Sequence, residues 1–315
     1  MTTSGERTGA ADRCSFCEEP AVILGRDRRE RLCAGHLISS IEGRVREYIR
    51  DHSLISPGDH IAVALSGGKD STALLLVLAT ILPELPDVSL TALTIDEGIA
   101  GYRDETVDSA VRLTRHLGVR HHIISFHDLF GADLDTLLQK KGRAERACTV
   151  CGVLRRKALA EGARRVGGTT IATGHNLDDE AQSVLMNLLR GDLVRLIQDS
   201  SSGEPACFLP RIKPLAAIPE KEVVTFLFVQ GYFTELPECP YAGTALRSEI
   251  RTMLGDLEFR HPGTRQRLMK WQERVRERVT PRSIAGELTR CTRCGALCNS
   301  EICQACRILE SLGIE

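Results

Sequence analysis

Charge imbalance is missing from this 315-residue chain: 41 lysines and arginines meet 42 aspartates and glutamates, for a formal net charge of −1. Bulk charge therefore predicts no nucleic-acid binding, and any such contact must come from local clusters. A membrane-length apolar run is also missing. The longest, near residues 73–82, is too short to span a bilayer. Residues 1–13 are polar and lack the apolar centre of a secretory signal, so a cytoplasmic protein with no membrane partner is expected. Only one tryptophan occurs, Trp271. The remainder, 42% hydrophobic and 26% charged, has the composition of a soluble globular protein with one good-sized domain plus appendages, or two domains.

What the chain does have is twelve patterned cysteines. Cys14-x2-Cys17 is followed, after fifteen residues, by Cys33-x2-His36. These are two close pairs of soft ligands, each able to clamp one side of a tetrahedral Zn²⁺. Cys291-x2-Cys294 and Cys303-x2-Cys306 form a second set, with Cys298 as an extra thiol able to replace one ligand. Four protein ligands make a closed, structural site, and modules this small fold only with their metal. The two zinc modules differ in spacing, so they are not a repeat. A third group, Cys148, Cys151 and the distant Cys239, has no obvious fourth member. It can hold three irons of a 4Fe-4S cluster, work as a persulfide or disulfide relay, or bind a structural zinc completed by a residue such as His175. Cys207 reads as a buried apolar residue.

The apolar run 61–65 leads directly into Ser66-Gly67-Gly68-Lys69-Asp70-Ser71, and a helix is predicted over 71–82. Two glycines allow a tight turn and close backbone approach. The helix N-terminus offers free N–H groups to an anion, and Lys69 adds positive charge. This is a phosphate-holding loop but not a Walker A loop. Further strands are predicted at 89–95, 120–125 and 169–173, and helices at 38–52, 103–117, 154–165 and 178–189. Such alternation predicts an α/β fold with a doubly wound parallel sheet, whose ligands bind at the carboxyl ends of the strands. Residues 1–12 read as a disordered tail, 13–37 as the N-terminal zinc module, 38–240 as the central domain, 241–285 as a basic helical segment and 286–315 as the C-terminal zinc module.

The hexapeptide 66–71 resembles the PP-loop of ATP pyrophosphatases. Together with Cys148-x2-Cys151-Gly152, Gly174-His175-Asn176-Leu177-Asp178-Asp179, Glu238-Cys239-Pro240-Tyr241 and the flanking zinc modules, it resembles the TtcA/TtuA family of tRNA 2-thiolation enzymes over residues 14–306. The zinc modules bring it nearer to TtuA and the cytosolic thiouridylase subunit. The resemblance implies an ATP-dependent sulfurtransferase that adenylates the C2 oxygen of a tRNA uridine and replaces it with sulfur, releasing AMP and pyrophosphate. T-loop position 54 is the preferred target, with a wobble-uridine thiolase using a persulfide relay, or a non-catalytic zinc-finger RNA-binding subunit, as alternatives. It further implies ATP, Mg²⁺, a 4Fe-4S cluster on Cys148, Cys151 and Cys239, two Zn²⁺, a ubiquitin-like sulfur carrier ending in a thiocarboxylate, and a homodimer.

Residue by residue, Ser66, Gly67, Gly68, Lys69, Asp70 and Ser71 would hold the phosphates, Asp70 through Mg²⁺ or by capping the helix. Ala64 and Ile95 would meet the adenine, and Gly174 would let the nucleotide approach. Asp96 would face the nucleotide or form a turn before Gly98. Asp178 is expected to cap the next helix, leaving Asp179 as the catalytic carboxylate. Arg155 stands where the family typically has lysine, keeping the charge for a phosphate. For RNA, eight lysines and arginines meet two glutamates between Arg260 and Arg282, around Trp271, and Arg26, Arg28, Arg29 and Arg31 form a second patch.

Overall fold

A computed structural model describes residues 13–25, 30–139, 147–197, 209–233, 237, 239–241, 246–279 and 289–314. The chain opens with a small hairpin, β1 (Ile23–Leu24) and β2 (Arg31–Leu32), and runs into α1 (Ala34–Asp51). Then come β3 (His60–Ala64), α2 (Lys69–Ile81), a short 3-10 turn, β4 (Ser89–Asp96), α3 (Arg103–Leu117) and β5 (His121–Ser125). Next are α4 (Phe126–Phe130), α5 (Leu134–Gln139), α6 (Ala147–Arg165), β6 (Thr170–Ala172), α7 (Leu177–Leu189), α8 (Leu193–Ile197), β7 (Arg211–Ile212) and α9 (Glu220–Val229). Helices α10 (Leu246–Arg260) and α11 (Thr264–Arg278) precede a last hairpin, β8 (Thr289–Arg290) and β9 (Leu297–Cys298), and α12 (Gln304–Ser311).

The central sheet has the order β5-β4-β3-β6-β7, and every neighbour pairs in parallel. Successive strands go outward from β3 on one side and then, from β6, on the other. The switch point therefore lies between β3 and β6, where such sheets form their ligand crevice. Strand β3 is apolar throughout because both faces are covered. Ile61 and Val63 enter one core, and Ala62 enters the other. The first core contains α1, α2 and α9 together with Ile23 and Leu32 of the first hairpin. The second contains α5 and α6 together with Cys291, Cys306 and Leu312 of the C-terminal module. The two cysteine modules thus pack into cores on opposite faces of the sheet.

Helix α1 buries Leu37, Ile41, Val45 and Ile49 along one stripe. Each contributes about 1.5–3 kcal/mol by leaving water. The helix begins before residue 38 because Cys33 caps it, its Sγ accepting from the His36 N–H. Helix α2 likewise starts at Lys69, with Gly68 as its extended N-cap. The largest boundary difference is α6, expected from 154 and observed from Ala147. Gly152 and the β-branched residues around it lower helix propensity. Burial of Ala147, Val150, Cys151 and Leu154 in the second core overrides that preference. Strand β7, two residues long, has no signal in the sequence and is stabilised by pairing with β6.

Helices α10 and α11 pack on α7, through a third small core of Ala181, Ile250 and Leu254. The basic stretch is therefore laid against the strand-end face of the sheet domain rather than hanging free of it.

Candidate active site

The loop after β3 turns at Gly67, whose φ of +85° is open to glycine. A side chain there would also collide with the Thr106 carbonyl oxygen, 2.0 Å from where a Cβ would sit. Ser71 closes the loop: its hydroxyl donates to the Gly68 carbonyl at 2.9 Å and accepts from the Ser66 N–H at 3.1 Å. Across the switch point, Gly174 lies so close to this loop that a Cβ would stand 2.7 Å from the Asp70 carbonyl oxygen. Ala64 ends β3, and Ile95 and Asp96 end β4, on the same edge. The structure thus brings the residues expected to hold a nucleotide to one crevice.

Lys69 is tethered by carboxylates, with its Nζ 2.7 Å from Asp70 and 3.0 Å from Glu220. Burial opposes its charge, but Asp70 and then Glu220 hold the ammonium above the ordinary lysine range. Asp70 does not cap α2, because Gly68 occupies that position with no side-chain cap. Its carboxylate instead joins Lys69 to Asn176, whose Nδ2 donates at 3.0 Å. Asp96 takes the turn-forming role, accepting from the Gly98 N–H at 2.9 Å.

The expectation for Asp178 is corrected. Asn176 caps α7, accepting from the N–H groups of Asp178 and Asp179, and Asp179 completes the capping box. The reason is the extended backbone at Asn176, which only a cap residue adopts there. Asp178 is buried, accepts from the Glu220 N–H at 2.9 Å and pairs with Arg265 at 2.9 Å. Burial raises its carboxyl above the usual range against the pull of both partners. Asp179 also faces Arg247 at 3.7 Å. His175 bonds Thr173 Oγ1 at 2.9 Å and belongs to no metal-capable group among the described residues.

Two sets of ligands are gathered tightly: Cys14, Cys17, Cys33 and His36, and Cys291, Cys294, Cys303 and Cys306. Among the described residues they are the only groups of three or more such side chains with ligand atoms within 4.8 Å of one another. Cys17 and Cys33 are 3.7 Å apart, as are Cys294 and Cys303. A tetrahedral ion with Zn–S bonds of about 2.3 Å needs sulfurs about 3.8 Å apart, so both sets can hold one. Although burial resists ionisation, backbone N–H groups pull the Cys14 and Cys291 thiols down to about 6. Burial and the neighbouring thiols hold Cys17, Cys303 and Cys306 up in turn, so without a cation each set resists carrying several thiolates at once. Cys298 stands outside this set, its thiol donating to the Ser300 carbonyl at 2.8 Å.

The central cysteines are wider apart than a single-ion site. Cys148 is exposed and donates to the Tyr241 carbonyl at 3.1 Å, while Cys151 and Cys239 share the second core. Three thiols with no fourth protein ligand fit a cluster that leaves one iron open. The downstream segment is anchored by Tyr241, whose hydroxyl donates to Asp135 Oδ1 at 2.8 Å. That bond, with burial, pushes the phenol up to about 12.

One link between the thiols and the loop escaped the sequence reading. Arg155 donates to Cys151 Sγ at 3.3 Å and pairs with Glu97 at 2.5 Å. Glu97 is 1% exposed and also pairs, at 2.8 Å, with Arg103, itself 3% exposed. Arg103 then donates to the Ser66 carbonyl at 3.1 Å and to the Ile95 carbonyl. An ion-pair chain therefore runs from Cys151 to the first residue of the PP-loop. Burial raises the Cys151 thiol, and the Arg155 guanidinium opposes that rise. Only Glu97, a carboxylate just after an apolar strand, gave any local hint.

Of the basic patches, Arg26, Arg28, Arg29 and Arg282 lie outside the described residues, as does Cys207. Trp271 is half-buried on α11.

A family model described as a PP-loop domain matches residues 38–235. A tRNA 2-thiolation protein NcsA of Haloferax volcanii is 38% identical over 95% of this chain and 98% of its own length. Cytoplasmic tRNA 2-thiolation protein 1 of Bos taurus is 39% identical over 96% of this chain and 88% of its own. The fold also matches a solved structure described as the U34-tRNA thiolase NcsA from Methanococcus maripaludis with its 4Fe-4S cluster. That match has a TM-score of 0.82 and 31% identity, and covers 96% of this chain and 97% of the other. The chain belongs to the PP-loop family of tRNA 2-thiolation proteins.

Proposed function

We propose that this protein is an ATP-dependent tRNA 2-thiolase acting on the wobble uridine. The T-loop position preferred from the sequence is not named by the relatives described above, whereas the solved neighbour is described as a U34-tRNA thiolase. The observation that carries the reading is the ion-pair chain from Cys151 through Arg155, Glu97 and Arg103 to the Ser66 carbonyl, which joins a thiol site to a phosphate loop.

Carbonyl oxygen is a poor leaving group, so the C2 oxygen must first be activated. The loop N–H groups and Lys69 hold the ATP phosphates, with Asp70 contributing through Mg²⁺. An arriving polyphosphate competes with Asp70 and Glu220 for Lys69. The uridine O2 attacks the α-phosphorus and pyrophosphate leaves. Sulfur then attacks C2, and the old oxygen departs with AMP. Asp179 orients the base and manages its proton, with Arg247 beside it. Cys148, Cys151 and Cys239 would hold a 4Fe-4S cluster, and with only three protein thiols that group would leave a position where incoming sulfur could be kept close and nucleophilic. Arg155, a guanidinium fixed on Cys151, favours the thiolate form that such a cluster needs. Both terminal sets would hold structural zinc. The proposal includes a ubiquitin-like sulfur carrier, a homodimer and a cytoplasmic location, as implied by the family resemblance.

The test is mass spectrometry of tRNA nucleosides from cells lacking the protein, with position 34 resolved from position 54. Loss of 2-thiouridine at 34 alone is expected, and loss at 54 alone would restore the T-loop reading. Iron and acid-labile sulfide after anaerobic purification separate the cluster from a persulfide relay.

A further inference from the structure

Outside the crevice, the molecule has a groove of about 1100 Å³ between α6 and the C-terminal cysteine module. Its lining is unusual for a small-molecule pocket, which would be smaller and mostly apolar. Arg156, Lys157, Arg164 and Arg165 line it from α6. Three more arginines come from elements far apart in sequence: Arg211 on β7, Arg290 on β8 and Arg307 on α12. Against these cations the lining offers, among the described residues, one carboxylate, Glu161, which is shared by Arg164 at 3.5 Å and Arg165 at 3.2 Å. Arg156 has no carboxylate partner among the described residues. Desolvation at the groove wall, and then the like charge of Arg195, hold its guanidinium below the ordinary arginine value.

We infer that this groove binds the phosphate backbone of the substrate RNA. The inference rests on the reading of the protein as a tRNA enzyme and adds to it the surface that holds the tRNA. Cations drawn from four elements around one open groove are what a polyanion needs, and crowding among them is relieved when phosphate arrives. The groove is also well placed. Arg156 follows Cys151 by five residues on the same helix, about 8 Å along its axis. The groove and the thiol site therefore flank the same stretch of one helix, on different faces. The basic helix α11, in contrast, has part of its charge already neutralised, since Arg265 is held by Asp178.

The experiment uses the full chain, purified anaerobically with its metals, and measures tRNA binding across a salt series. Arg156→Gln/Arg307→Gln is expected to weaken binding on the order of tenfold at physiological salt. It should also flatten the slope of log K against log salt by about 1.5, since each lost phosphate contact removes about 0.7–0.9. Arg164→Gln/Arg165→Gln, whose positions, unlike Arg307, are not adjacent in the chain to a cysteine of the C-terminal set, should act alike and guards against a zinc-binding defect in the first variant. Glu161→Gln should tighten binding, which a folding defect would not do. Wild-type affinity and slope in both double variants would overturn the proposal. So would variants that keep tRNA affinity and lose only binding to an acidic protein partner. A wild-type protein that binds tRNA through the groove, yet restores no 2-thiouridine to a deletion strain, supports the groove and defeats the 2-thiolation reading alone.

Discussion

The terminal and central cysteine sites use the same side chain for opposite ends. At the termini, four ligands converge within 4.8 Å, and each site is wired into a core. Cys33 caps α1 and Cys303 caps α12, so ligand geometry and helix geometry enforce one another. In the centre there are three cysteines, set wider, one of them exposed and one held by an arginine. A site with every position filled by protein is finished once the chain folds. A site one ligand short stays chemically open. On the proposed reading, ligand number and spacing, more than ligand type, would separate a structural metal site from a reactive one.

Substituting across that divide should give the largest contrast. Cys151→Ala is expected to lower 2-thiouridine formation by more than about 100-fold, at unchanged zinc content. Cys33→Ala should lose one zinc and lower the melting temperature, because module folding is metal-linked. Metal analysis alongside the nucleoside assay checks both, and zinc loss from Cys151→Ala would erase the distinction. Next in size is Glu97→Gln, which leaves Arg103 and Arg155 without their shared carboxylate. Breaking a buried pair in this way costs about 3–5 kcal/mol, read by urea denaturation. An unchanged midpoint would show that the chain from Cys151 to Ser66 contributes nothing to joining the two halves of the site.

A smaller effect is expected for Tyr241→Phe, which removes the hydroxyl on Asp135 and costs about 1 kcal/mol. Since Tyr241 also anchors Cys148 through its carbonyl, the central site should lose iron faster in air while zinc is retained. The smallest effect concerns pH. Burial, and then the neighbouring His122, lower the His121 pKa below 6.5. Its ring lies between Thr94 and Thr114. The unfolded chain therefore binds more protons on this residue than the native protein does. Stability should be full above pH 6.5 and fall as pH drops below it, and His121→Asn should flatten that dependence. An identical pH profile in the variant would remove His121 from the account.

Reading such a chain by local spacing works where the chemistry is local. The PP-loop, its strand and both four-ligand sets lie within short windows, so their residues could be named in advance. The three central cysteines also sit in distinctive short contexts, but Cys239 is remote in sequence, and only the fold puts Cys239 in the same core as Cys151 and the Tyr241 carbonyl on Cys148. Asn176 shows where the reading fails. Asp178 is an equally good cap by composition, and only the observed backbone at 176, with Arg265 and the Glu220 N–H waiting for Asp178, assigns the roles. The start of α6 at Ala147 was hidden in the same way, since core burial overcame a weak local propensity.

Local pattern was enough to specify the two four-ligand sets, the phosphate loop and the alternation that makes a parallel sheet. These depend on residue type at fixed short separations. Tertiary structure alone decided that Glu97 joins two arginines, that Tyr241 pins the third cysteine's segment, and that seven cations from α6, β7 and the C-terminal module face one groove. Charges and hydrogen bonds act through space, and residues that meet only after the sheet has folded leave no periodic mark on the chain that encodes them.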